Sequence, residues 1–232
     1  MGATIDKTYL GCGHDHGTYW DKLKLFWLKT FDLSSSIKNT AGVFKEVDNL
    51  NDGEVSKKLF NHSNNALTKG VDDVFKRTKY GSDNYTLVND LRKNTAEFSA
   101  FKSNYFTELL KGKSKEEQEA IMSTYGRQLV VEQNVATRAS RSAKQWVEFQ
   151  ETKELYPNLE YLSSRSVDKR TEHMALYGVI LPINDPFWSS YMPPNGWNCK
   201  CRVRRSDAEP TKTEIKNVKT PNGIVGNAGK QK

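Results

Sequence analysis

Proline is absent from the start of this 232-residue chain, and all seven prolines lie between residues 157 and 221. A proline inside a helix removes one backbone donor and clashes with the preceding turn, so long proline-free stretches favour helices. The fold class predicted here is therefore α-rich. An elongated helical body should continue through a long helix into a small, compact α+β lobe, where the prolines and β-branched residues concentrate.

Long hydrophobic runs are also missing. No stretch of about 18 apolar residues occurs, so we expect no membrane partner. The first residues do not show a basic segment followed by an apolar one, so we expect no secretory signal. Cysteine is scarce as well: three residues form no complete disulfide framework, and reduced thiols or a metal site are the better expectation.

Apolar spacing and turn residues predict the elements. Ser114 and Glu117 form a capping box, which should open a helix that runs to about residue 155. The other predicted helices are 19–31, a short one near 41–47, 55–80 with a break near Gly70, 87–110 and a short polar one at 167–177. Strands are predicted at 159–163, 179–181 and 198–203.

These elements suggest four segments along the chain. They are an N-terminal leader (1–17), the helical body (18–155), the C-terminal lobe (156–205) and a flexible basic tail (206–232).

The net charge of +7 is concentrated at one end. Residues 199–232 hold nine basic and three acidic residues, whereas the preceding residues are nearly neutral. Such a segment is either simply solvated or contacts phosphate groups in a salt-dependent way. The candidate nucleic-acid-binding residues are Lys200, Arg202, Arg204, Arg205, Lys212, Lys216 and Lys219.

The candidate metal ligands lie mainly in the C-terminal lobe. On the predicted strand, Cys199 and Cys201 would point to one face, where two thiolates could bind zinc together with His173. Asp168 or Asp185 could complete a tetrahedral site. The alternative is that both cysteines are small buried apolar groups and His173 is a hydrogen-bonded core residue.

A second and weaker metal hypothesis concerns the leader. Cys12, His14 and His16 stand two residues apart between glycines. They could bind a metal ion, or their proximity could be a coincidence of sequence.

Residues 165–203 resemble the signature of the phage Mu F-like minor head proteins, also called phage head morphogenesis proteins. A weaker resemblance extends back to about residue 95. One departure is Lys200, where the family more often has arginine; lysine keeps the charge but lacks the planar fork that makes a bidentate contact. The matching residues are Asp168, Arg170, His173, Leu176, Gly178, Pro182, Asp185, Pro186, Phe187, Trp188, Pro193, Pro194, Gly196, Trp197, Cys199, Cys201 and Val203.

This resemblance implies a structural virion component without catalytic residues. Such proteins occur in few copies in the head interior or at the portal vertex, and in the host cytoplasm during assembly. They would associate with the portal and major capsid proteins, contact packaged DNA and form oligomers only within the head.

Two other function classes remain open from the residues. One is an enzyme that cleaves nucleic acid with Glu172 and His173, although adjacent helical residues diverge by about 100°. The other is a prophage-derived binding module or toxin carrier.

Overall fold

The structure, a computed structural model, describes residues 50–76, 82–211 and 227–230. The helices predicted at 19–31 and 41–47, the leader ligands and most of the basic tail lie outside these ranges. The elements in chain order are α1 (Asp52–Phe75), α2 (Tyr85–Leu110), α3 (Lys115–Glu151), β1 (Asn158–Leu162), α4 (Thr171–Met174), β2 (Ile180–Pro182), α5 (Phe187–Tyr191) and β3 (Arg202–Ser206).

Reciprocal caps open two of the long helices. The predicted capping box is confirmed, because the Ser114 amide donates to Glu117 Oε2 at 3.0 Å and the Glu117 amide donates to Ser114 Oγ at 3.3 Å. Asn51 and Glu54 make the same exchange before α1. Each pair satisfies amides that the first helical turn leaves unpaired, so the starts of α1 and α3 are fixed locally.

Three predicted helices have different bounds in the structure. The break predicted near Gly70 is wrong, because α1 continues to Phe75. A single helical glycine costs only about 1 kcal/mol, and the burial of Leu67 and Val71 on either side outweighs that cost. The long helix α3 ends at Glu151 rather than 155, and the helix predicted at 167–177 is only Thr171–Met174.

The described residues form two compact units. One comprises 50–70 and 92–133, and we call it the helical unit. Its core surrounds Leu59, Phe106 and Tyr125, which are all nearly inaccessible to solvent. The Tyr125 hydroxyl donates to the Leu59 carbonyl at 2.9 Å, and the Tyr125 ring packs edge-to-face on Phe106. These contacts hold segments of all three long helices together.

The other unit comprises 71–76, 82–91, 134–211 and 227–230, and we call it the sheet unit. Its three-stranded antiparallel sheet has the order β2-β1-β3. The central strand β1 places Tyr161 opposite Val203 of β3. Trp146 and Phe149 of α3 pack with Leu159 and Trp188 in the main core of this unit.

The predicted α-rich fold with a small α+β lobe is confirmed by the long helices and the short sheet. Across 50–76, 82–211 and 227–230, no helix has both the length and the hydrophobicity of a membrane span. Residues after β3 continue to contact the sheet unit: the Thr211 amide donates to the Ile180 carbonyl at 2.8 Å. The four predicted segment boundaries stay predictions.

Candidate functional site

Three potential ligand side chains converge inside the sheet unit, and we call them the His–Cys–Cys cluster: His173, Cys199 and Cys201. Nδ1 of His173 lies 3.8 Å from Cys199 Sγ and 3.6 Å from Cys201 Sγ. All three residues are buried, with 3%, 5% and 8% of their surface exposed. The cluster therefore presents one imidazole nitrogen and two sulfurs to a common point within the core.

The local reason for this convergence differs from the predicted one. The strand predicted at 198–203 is wrong at its start, because β3 begins at Arg202 and both cysteines lie in the loop before it. Gly196 has φ 123° and Asn198 has φ 56°, a left-handed region that glycine and asparagine enter most readily. The loop backbone, rather than strand alternation, turns both thiols toward His173.

Two arginines fasten this loop to neighbouring helices. Arg138 of α3 donates from Nη1 to the Cys199 carbonyl at 3.1 Å. Arg170, the residue before α4, donates from Nη2 to the Trp197 carbonyl. Because His173 lies on α4, the Arg170 contact fixes the distance between the helix that carries the imidazole and the loop that carries the thiols.

The two thiols influence each other strongly. A hydrogen bond from Cys201 holds the pKa of the Cys199 thiol well below its ordinary value. The same hydrogen bond, together with burial, raises the pKa of Cys201. Burial also raises the pKa of the nearby Tyr161 hydroxyl, so this phenol stays protonated. The pKa values of the two thiols are therefore shifted in opposite directions.

The candidate carboxylates do not join the cluster. Among the described residues, only His173, Cys199 and Cys201 form a group of potential ligands within 4.8 Å of one another. Asp168 is exposed. Asp185 instead accepts a hydrogen bond from the Phe187 amide at 2.8 Å, in the turn that leads into α5. Cys12, His14 and His16 lie outside the described residues.

The other signature residues build the surroundings of the cluster. Trp188 is completely buried, and its Nε1 donates to the Pro182 carbonyl at 3.0 Å. Gly178 has φ 78° and donates its amide to the Tyr161 carbonyl at 2.8 Å. A cis peptide joins Pro193 and Pro194. These residues shape the turns and fill the core from which the ligands project.

The predicted nucleic-acid-binding residues have varied environments. Arg204 pairs with Glu160 across the sheet at 2.6 Å. Arg205 donates to Thr152 Oγ1 at 3.1 Å and lies 5.3 Å from the Tyr156 ring. Arg202 is exposed. Lys200 is partly buried and engaged in other contacts. Lys212, Lys216 and Lys219 lie outside the described residues.

The residues of the enzymatic hypothesis do not converge. Glu172 is exposed, whereas His173 is buried and its Nδ1 faces the two sulfurs. A shared substrate could not reach both groups from one side. The geometry therefore gives no support to acid–base catalysis by this pair.

Sequence reasoning missed two residues that organise the site. Arg138 resembles any other polar residue of α3, and only the fold reveals its contact with the Cys199 carbonyl. Asn195 is buried and donates to the Tyr161 hydroxyl at 2.9 Å and to the Tyr191 carbonyl at 2.7 Å. Its place between two prolines and a glycine was a signal for a structured loop, but not for these partners.

The fold and the site describe a helical protein with a compact, cysteine-containing lobe, and comparison with known proteins specifies the family. The profile of the family described as "Phage Mu protein F like protein" matches residues 65–204, more than half of the chain. The chain therefore belongs to this family, and the predicted resemblance is confirmed.

Two curated relatives share part of this region. The putative capsid assembly protein F of Escherichia phage Mu is 38% identical over 82 residues, which are 35% of this chain and 19% of that protein. The Mu-like prophage FluMu F protein of Haemophilus influenzae is 37% identical over 68 residues, or 29% of this chain and 16% of that protein. The chain thus matches less than a fifth of the length of either relative. No solved structure shows significant similarity to it.

Proposed function

We propose that this protein acts structurally in phage head assembly, as a minor component of the head. The observation that carries the proposal is the family match over 65–204, which includes the whole His–Cys–Cys cluster and its surrounding signature. One relative in the same family is called a putative capsid assembly protein. Most of the signature residues are buried, which supports a folding role for those residues rather than a catalytic one.

In this proposal the partners are the portal protein and the major capsid protein of the same phage. The chain resides in the host cytoplasm during assembly and in the head interior, at the portal vertex, afterwards. Oligomers form only in the context of the head. The proposal rests on the family's association with head assembly, to which the first relative's name points.

The assembly role can be tested in the phage or prophage that encodes the chain. Its gene is deleted, and intact particles are counted by electron microscopy with and without the gene supplied from a plasmid. We expect fewer or defective particles after deletion, recovery with the plasmid, and the chain in purified particles by mass spectrometry. Unchanged particle yield, with the chain absent from particles, would refute the role and favour a free-standing binding module.

Contact with packaged DNA is a separable part of the proposal. The basic segment after residue 199 would bind phosphates without sequence preference, since charge alone drives such binding. Arg204 and Arg205 are engaged with Glu160 and Thr152, so the lysines further along the chain are the better candidates.

A matched pair of variants tests this contact. One variant replaces three tail lysines with glutamine, and the control replaces three exposed lysines of the described chain in the same way. The tail variant should lose retention on DNA at low salt, while the control should keep it; equal retention by both would exclude a specific role of the tail. The tail lysines are Lys212, Lys216 and Lys219, and the control lysines are Lys57, Lys93 and Lys153.

A further inference from the structure

We propose that His173, Cys199 and Cys201 are ligands of a single structural zinc ion inside the sheet unit. This inference concerns how the unit is held together, and it stands or falls independently of the role in head assembly.

The distances between the ligand atoms fit one tetrahedral ion. Zinc binds sulfur at about 2.3 Å and imidazole nitrogen at about 2.0–2.1 Å, so a tetrahedral angle places the two ligand atoms about 3.6 Å apart. The observed separations from His173 Nδ1 are 3.8 Å to Cys199 Sγ and 3.6 Å to Cys201 Sγ. All three donor atoms lie within 4.8 Å of one another, so a single ion can reach them together.

Burial gives the second argument. The three side chains share a core with Leu176, Val203 and other apolar residues. Both cysteines are free thiols rather than a disulfide. A divalent cation bound by two thiolates and a neutral imidazole has no net charge. Such a centre can be buried at a lower cost than a thiolate that lacks a counter-ion.

The donor set also discriminates among metals. One imidazole and two thiolates suit zinc and other soft or borderline ions, whereas calcium and magnesium require oxygen ligands. Four-cysteine iron–sulfur clusters need more thiolates than the chain contains, since it has only three cysteines. Within this class of ions, zinc has no redox chemistry, and this suits a purely structural role.

Surrounding contacts hold the ligands in place. Arg138 binds the carbonyl of Cys199 itself, and Arg170 binds the carbonyl of Trp197, two residues earlier. Hydrogen bonds of this kind orient the ligands of metal sites and limit their motion. Among the described histidine, cysteine and carboxylate side chains this group supplies three donors, which leaves one tetrahedral position for a further ligand such as a solvent molecule.

The ion would join two parts of the chain that are distant in sequence. His173 lies 26 residues before Cys199, and β2, α5 and the loops around them occupy the interval. A metal ion can bind His173 and the two cysteines together only in the folded chain. It therefore stabilises the folded state by mass action. The sheet unit has only three short strands, so a bond of this kind would contribute substantially to its order.

The test uses the full chain, purified without chelator and without a metal-affinity tag. Elemental mass spectrometry should find about one zinc ion per chain. His173→Gln, and separately the pair Cys199→Ser with Cys201→Ser, should lose it. His62→Gln is the matched control, because His62 is a partly buried histidine of the helical unit outside the cluster. The control should retain zinc.

Cobalt substitution keeps the test decisive if the variants fold poorly. After zinc removal, Co²⁺ added to the wild-type chain should give thiolate-to-cobalt charge-transfer absorption and the strong visible bands of a tetrahedral site. Circular dichroism confirms that the helices are intact. A folded wild-type chain that has neither stoichiometric zinc nor these bands would overturn the proposal. Equal zinc in the wild-type chain and the double-serine variant would overturn it too.

Discussion

The core of the helical unit contains an ion pair that is almost completely removed from water. Lys102 Nζ lies 2.6 Å from Glu132 Oε2, and the two side chains are 0% and 5% exposed. The same ammonium donates to the Tyr125 carbonyl at 3.3 Å and lies 4.4 Å from the centre of the Tyr125 ring. Lys102 belongs to α2 and both Glu132 and Tyr125 belong to α3, so the pair links the two helices.

Replacing Lys102 with methionine should destabilise the protein by about 3 kcal/mol, the lower end of the range for breaking a buried pair. Methionine keeps the length and much of the volume of the lysine stem, so little cavity forms. The Glu132 carboxylate loses its counter-ion in the core. Burial already raises the pKa of Glu132, so the unpaired group can take up a proton, and this limits the loss.

Removing both charges should restore most of the stability. Burial raises the pKa of Glu132 and lowers the pKa of Lys102, although each group attracts the other. For both groups, desolvation thus opposes the charged form more than the pairing favours it. The double variant Lys102→Met with Glu132→Met should therefore have a free energy of unfolding within about 1 kcal/mol of the wild-type value, or above it.

Urea unfolding followed by far-ultraviolet circular dichroism measures these free energies. The control is Lys93→Met on the same helix, whose pair with Glu97 spans 3.9 Å with both side chains largely exposed. An exposed pair contributes little, so the control should change stability by less than about 0.5 kcal/mol. The reasoning is refuted if Lys102→Met behaves like this control, or if the double variant is no more stable than the single one.

Three further predictions concern helix capping and a glycine contact. Ser114→Ala should cost about 1 kcal/mol in urea unfolding, because it removes an N-cap. The Ser114 amide donates to the Glu117 carboxylate and lowers its pKa. The stabilisation that this carboxylate provides is therefore complete above its ordinary pKa and is lost as the pH falls through its pKa in the folded state. Glu117→Gln should therefore make the free energy of unfolding less dependent on pH between about pH 5 and 3. Gly229→Ala would place a Cβ 2.5 Å from Trp146 Cβ and should lower the melting temperature and change the tryptophan fluorescence. Gly53→Ala has ordinary space and lies in a helix, so it should not lower the melting temperature or change the tryptophan fluorescence.

Local signals in the sequence predicted much of the fold. The capping box at Ser114 and Glu117 places the start of α3, because its hydrogen bonds span only three residues. The proline distribution correctly separated the long helices from the irregular, strand-containing part. The continuity of α1 through Gly70 was not predicted, since it depends on tertiary burial that propensity does not include.

The candidate site was predictable in composition but not in geometry. His173, Cys199 and Cys201 stood out as residue types suited to a metal. Their convergence depends on positive φ angles in a loop and on a long-range contact from Arg138. The predicted strand, with both cysteines on one face, included neither feature. Lys102 and Glu132 gave no signal at all, because charged residues at these positions resemble ordinary surface residues until packing encloses them.

The residues that define the family resemblance are mainly interior ones. Trp188 and Leu176 are completely buried, and Val203, Cys199 and Cys201 are nearly so. Side chains without exposed surface cannot contact a portal or a capsid protein directly, so the shared pattern specifies how the unit folds. Under the proposed function, we expect recognition of a particular head to depend on exposed residues outside this buried set. Exchanging those exposed residues between two relatives should exchange their partners, while exchanging the buried signature should affect only folding.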